Sequence, residues 1–151
     1  SPSISPTCSS SSASRRCSLS SHVSLSCGGR RSTPSPERDA ILKGYADQAK
    51  SADANFAAFS ADRGKELFLS QHQGESPDVT SCTSCHTKDP SKAGQTRAGK
   101  AIEPLAVSLT PARYTDPAKV EKWFGRNCKS VLGRECTPVE KGDFITYMSG
   151  L

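Results

Sequence analysis

An all-α fold is predicted for residues 37–151 by three observations. Apolar residues recur at helical spacing in four segments, around Ile41, Leu67, Trp123 and Phe144. The long stretch from Thr87 to Pro111 shows little periodicity, is broken by Pro90, Gly94, Gly99, Pro104 and Pro111, and requires no strands. Just before it stands the pentapeptide Cys82-Thr83-Ser84-Cys85-His86. Two cysteines three apart, followed at once by histidine, form the attachment signature of a c-type haem.

The chemistry needs that spacing. Two intervening residues let both thiols reach the two vinyl groups of one porphyrin, and the next residue's imidazole then lies beneath the iron. Cys82 and Cys85 are the expected anchors of one haem c, and His86 its proximal ligand. A zinc site or a dithiol redox motif also uses Cys-x-x-Cys. The other zinc half would be Cys128 and Cys136, which have seven residues between them, whereas zinc half-sites leave about two to four. A dithiol motif of the thioredoxin kind expects a βαβ context that the sequence lacks.

Taken in order, residues 1–36 hold fifteen serines, four arginines, three cysteines and no acid, with too few large apolar residues for a core. This stretch is expected to be a disordered low-complexity tail and an artefact, a frame-shifted segment standing in place of a signal peptide. Cys8, Cys17 and Cys27 lie in it and are assigned no role. The first helix opens at Glu37 and carries Ile41, Leu42, Tyr45, Ala46 and Ala49 on one face. A second, from about Ala61 to Ser70 with Ser60 as N-cap, places Gly64 beside Leu67 and Phe68, where a glycine suggests close helix contact. The polar loop 71–81 leads into the haem motif. His72 lies in this loop and is read as solvated, not as a ligand.

The stretch 87–111 is too long for an ordinary loop, but it has a porphyrin to wrap, whose faces replace a protein core. Arg97 and Lys100 are candidates to neutralise haem propionates, with solvated charges as the alternative. A third helix is expected over Asp116–Asn127. Val120, Trp123, Phe124 and Asn127 share a stripe there, so a carboxamide sits beside the chain's only tryptophan. A buried amide needs a partner, which haem iron would supply; equally, asparagine commonly ends a helix. A loop from Lys129 to Glu135 follows. Thr137-Pro138-Val139-Glu140 has the pattern of a capping box and starts a terminal helix bearing Phe144, Ile145 and Met148, expected to pack across the second.

Without the tail, sixteen basic residues face fifteen acidic ones, a net charge of +1. That balance argues against nucleic acid as a partner. The four cysteines of the domain divide as two for haem and two, Cys128 and Cys136, left for a disulfide. Covalent haem attachment implies an oxidising compartment, the periplasm in bacteria. No stretch approaches the ~20 apolar residues of a membrane span. A monomer is expected.

Residues 37–151 resemble the Sphaeroides haem protein family of periplasmic monohaem cytochromes c. The resemblance is carried by SCTSCH (81–86), AGQTRAGK (93–100), IEPLA (102–106), VEKWFGRNC (120–128) and GREC (133–136). It implies a class I-like cytochrome c fold wrapped around one haem. It also implies that Asn127 is the sixth ligand of ferric iron and that Cys128 and Cys136 form a disulfide near it. In that family the asparagine leaves on reduction, dioxygen or nitric oxide then binds, and a dihaem cytochrome c donates the electron. The resemblance implies an electron-transfer and ligand-binding protein more than an enzyme. A pure electron carrier with a permanently closed iron is the first alternative, and a zinc-stabilised interaction module the second. Met148, the only methionine and the usual ligand of electron-transfer cytochromes, is read as a packing residue.

Overall fold

The computed structural model describes residues 34–151. The expectations for the tail, Cys8, Cys17 and Cys27 included, lie outside the described residues except at 34–36. Helix α1 spans Pro36–Ala52, α2 Ala61–Leu69, the single turn α3 Thr83–His86, α4 Pro117–Leu132 and α5 Pro138–Ser149. Between α3 and α4 the two-residue strands β1, Gly94–Gln95, and β2, Ala101–Ile102, pair antiparallel. The sequence reading required no strands in this stretch. A turn closed by Gly99 at φ +80° brings the two short pairs together.

Local chemistry starts each long helix. Ser35, Ser60 and Asp116 accept hydrogen bonds from backbone N–H groups of the first turns of α1, α2 and α4. Prolines at the first position open α1, α4 and α5, where no N–H is needed. The expected capping box is present at α5. Thr137 Oγ1 accepts from the Glu140 N–H at 3.2 Å, and the Glu140 carboxylate accepts from the Thr137 N–H at 2.8 Å.

Helix α5 packs across α2 and also against α1. The crossing is close: a methyl on Gly64 would lie 2.1 Å from the Asp143 carbonyl oxygen, which is the packing role expected of this glycine. Asp143 is buried at the same crossing. Its carboxylate accepts from the Ser60 N–H at 2.6 Å and from Arg63 Nε and Nη2 at 2.7 and 2.9 Å. One core cluster joins Phe68, Leu105 and Met148, with Cys82, Tyr114 and Phe144 packed on it. Another joins Tyr45, Val120 and Ile145.

Helix α4 corrects the sequence reading. It runs through Asn127 to Leu132 and ends on Gly133, at φ +70°, so Asn127 is interior to the helix and is not its cap. The supposed loop from Lys129 is its last turn, because Val131 continues the apolar stripe into the core.

Candidate haem site

The attachment turn is held from below by Ser81, which is buried. Its hydroxyl donates to the Phe68 carbonyl of α2 at 3.3 Å and accepts from the Thr83 N–H at 3.2 Å, fixing the turn to the core. His86 N–H donates to the Cys82 carbonyl at 3.1 Å, the i→i−4 bond that sets Cys82, Cys85 and His86 on one helical turn. Cys82 and Cys85 are both unbridged. The chain leaves at Thr87 with φ +61°, an uncommon conformation for a β-branched residue.

Burial shifts two of these groups toward their neutral forms. Burial, and then the charge of Arg113, lowers His86 to about 4, so its imidazole carries an available lone pair at neutral pH. Burial raises the Cys82 thiol to about 11. Arg113 is itself spent on the backbone, donating to the Glu103 and Pro104 carbonyls at 2.7 and 3.1 Å.

On the next layer, β1 lies against the attachment turn. A methyl on Gly94 would stand 2.2 Å from the Cys85 carbonyl oxygen, so only glycine allows this approach. The resulting open groove is lined by Thr83, Cys85, Gly94, Thr96 and Arg97. Arg97 is exposed and pairs with Asp78 at 3.1 Å, while Lys100, at the far end of the hairpin turn, is exposed.

On α4, Phe124 and Val120 turn into the core, leaving Trp123, 51 % accessible, and Asn127 at the exposed edge. The stripe read from sequence thus splits: the carboxamide is on the surface of the polypeptide instead of within its core, and its side chain makes no hydrogen bond among the described residues. The next residue, Cys128, is buried and bonded to Cys136. The bridge ties the last turns of α4 to the start of α5.

Two other expectations are settled by position. Met148 is fully buried between Phe68 and Leu105. His72 is partly exposed, with Nε2 3.3 Å from the Leu67 carbonyl. No group of three or more His, Cys, Asp or Glu that could hold a metal converges among the described residues. Sequence reasoning missed Ser81, Gly94 and Arg113. None of the three carried a local signal: Gly94 stands between Ala93 and Gln95, outside any run that reads as a strand.

Residues 54–148 match a family model described as Domain of unknown function (DUF1924). The chain is 57 % identical over 109 residues to cytochrome c-type protein SHP of Cereibacter sphaeroides, covering 72 % of this chain and 80 % of that protein. The chain belongs to the SHP family of c-type cytochromes. To cytochrome c'' of Methylophilus methylotrophus it is 38 % identical over 105 residues, 69 % of this chain and 73 % of that protein. The structure of oxidised SHP, an oxygen-binding cytochrome c, superposes with a TM-score of 0.67 at 50 % identity. That match covers 74 % of this chain and 94 % of that one. Oxidised cytochrome c'' superposes at 0.66 and 35 % identity, covering 74 % and 92 %.

As an SHP-family member the protein has the all-α cytochrome fold and carries haem c. Its residues fit that group: two unbridged thiols and a neutral imidazole lie on one turn, beside a groove floored by glycine. No helix among the described residues is long and apolar enough to cross a membrane.

Proposed function

We propose that this cytochrome is a redox-gated receptor for a small diatomic ligand, dioxygen or nitric oxide, working in the periplasm with a dihaem cytochrome c as its electron donor. The observation that carries the reading is Asn127, an exposed carboxamide with no hydrogen-bond partner among the described residues, one position before the Cys128–Cys136 bridge. When bound, haem c supplies a one-electron iron centre. Cys82 and Cys85 would hold it by thioethers, and His86 and Asn127 would be its two protein ligands. Trp123 would cover it on the Asn127 side, and Arg97 and Lys100 would meet the propionates.

The amide of Asn127 is a neutral, hard and weak donor, suited to Fe(III) and poorly suited to Fe(II). Reduction would therefore weaken the hold of Asn127, whose carboxamide would give way to an incoming diatomic. Met148 cannot substitute for it without leaving the core. The relatives support this reading, since SHP is an oxygen-binding cytochrome c and cytochrome c'' shows haem-ligand detachment.

The test has two arms. Carbon monoxide added to the dithionite-reduced protein should shift the Soret band; an unchanged band means a closed iron and a simple electron carrier. The variant Asn127→Ala should convert the ferric spectrum toward high-spin or water-ligated iron. Wild-type ferric bands in that variant would remove Asn127 from the coordination sphere.

A further inference from the structure

Helix α4 carries Lys119, Lys122, Arg126 and Lys129 at spacings of three, four and three, which places all four on one face. All four are exposed. The only acid within the helix, Glu121, is turned away from them and paired with Lys141 at 2.8 Å. Lys119 and Lys129 reach acids at the helix ends, Asp116 at 3.7 Å and Glu135 at 4.0 Å. Lys122 and Arg126, in the middle, have no ion pair among the described residues.

This arrangement works against helix stability. Like charges three and four apart repel, and Lys119 lies in the first turn, where the helix dipole disfavours a cation; only Lys129, in the last turn, is favoured by it. Among the described residues no acid pairs with the centre of the stripe. Residues 37–151 hold sixteen basic and fifteen acidic residues, so with four cations gathered on α4 the remaining surface is net negative. The domain is therefore electrostatically polarised, with its positive pole alongside Trp123 and Asn127.

We infer that the Lys119–Lys129 face of α4 is the docking surface for an acidic electron-transfer protein. The stripe is about 15 Å long at the helical rise, matching the small, polar interfaces of transient redox encounters. A long polyanion such as nucleic acid would run off it onto the negative remainder. A compact acidic partner is instead steered to the pole and held beside the cofactor-facing edge of α4. The inference rests on the reading that this protein receives electrons from another protein, and it is independent of the ligand that Asn127 gives way to.

The test uses the ferric holoprotein and two flavin donors, the hydroquinone of an acidic flavodoxin and neutral lumiflavin semiquinone. Each flavin gives up one electron as ferric iron becomes ferrous, the hydroquinone ending as semiquinone and the semiquinone as oxidised flavin. The double variant Lys122→Glu/Arg126→Glu should slow reduction by flavodoxin at least tenfold at low ionic strength and flatten its salt dependence. Reduction by lumiflavin should stay within twofold of wild type, which also reports an intact haem environment. A control, Lys65→Glu/Lys88→Glu, reverses two exposed cations off this helix and should leave both rates near wild type. Equal slowing by the control, or no slowing by the α4 variant, overturns the docking surface. Ready reduction by lumiflavin with none by flavodoxin, in the wild type at any salt, overturns the protein-to-protein electron transfer on which it rests.

Discussion

Gly74 lies so close to Ser130 that a methyl on its α-carbon would stand 2.0 Å from the Ser130 carbonyl oxygen and 2.6 Å from the Val131 carbonyl. The contact joins the loop that delivers the chain to Cys82 with the helix that carries Asn127, three residues before Ser130. It fixes the loop before the haem motif relative to the helix of Asn127 through backbone alone. Gly133, at the end of the same helix, adds a second contact, with its Cβ position 3.4 Å from the Gln73 carbonyl.

Gly74→Ala should therefore do two things. Overpacking should lower stability by about 1–3 kcal/mol, read by chemical denaturation. Displacement of α4 should also move the ferric spectrum part of the way toward that of Asn127→Ala. A loss of stability with unaltered ferric bands would show that this contact does not position Asn127.

The α2–α5 crossing makes a graded prediction. Asp143 is buried and takes hydrogen bonds from the Ser60 N–H and both arms of Arg63. Asp143→Ala strands those donors at a close-packed crossing and should cost about 2–4 kcal/mol. Asp143→Asn keeps one acceptor for the Ser60 N–H and should cost less. Thermal unfolding of the two variants checks the order, and an Asn variant as unstable as Ala would mean that the charge, not the acceptor, holds the crossing.

Glu140 gives the pH dependence. The Arg134 guanidinium, donating to it at 2.7 and 2.8 Å, and the Thr137 N–H of the capping box hold its carboxyl below the ordinary 4.5. A depressed carboxyl stabilises the fold above its unfolded value and loses that contribution as pH falls through the folded one. Arg134 is half exposed, so solvent screening limits the effect to about 1 kcal/mol. Glu140→Gln should be less stable than wild type by that amount at pH 7, and the gap should close as the pH falls below 4.5. A gap that persists in acid would assign the loss to packing.

Legibility in the sequence followed the physics of each feature. The Cys82–Cys85–His86 turn was legible because covalent chemistry fixes its spacing. The helix starts were legible because Ser60 and Thr137 are local caps whose donors lie within three residues. The end of α4 was misplaced because Asn127 and Cys128 interrupt the apolar stripe, although Val131 and Gly133 mark where it resumes and stops. Arg38, buried and donating to the Pro111 and Arg113 carbonyls, and the approaches of Gly74 and Gly94 depend on segments distant in sequence. No local pattern encodes them. Within the site, the split of the Trp123–Asn127 edge from Phe124 needed the positions of α1 and α5, which periodicity does not supply.

The Cys128–Cys136 bridge closes a loop of eight residues' separation at the junction of α4 and α5. Loop-closure entropy for so short a span is worth about 2–3 kcal/mol. The bridge also anchors the backbone one residue beyond Asn127, and Cys128 is itself buried. Cys128→Ser/Cys136→Ser should therefore lower stability by that amount in denaturant titration. It should also weaken the Asn127 ligation that we propose, because the last turns of α4 gain freedom while the haem motif stays fixed through Ser81. Imidazole or azide added to the ferric double variant should then bind more tightly than to wild type, as displacing Asn127 becomes easier. Unchanged affinity for these ligands beside lowered stability would confine the bridge to a structural role.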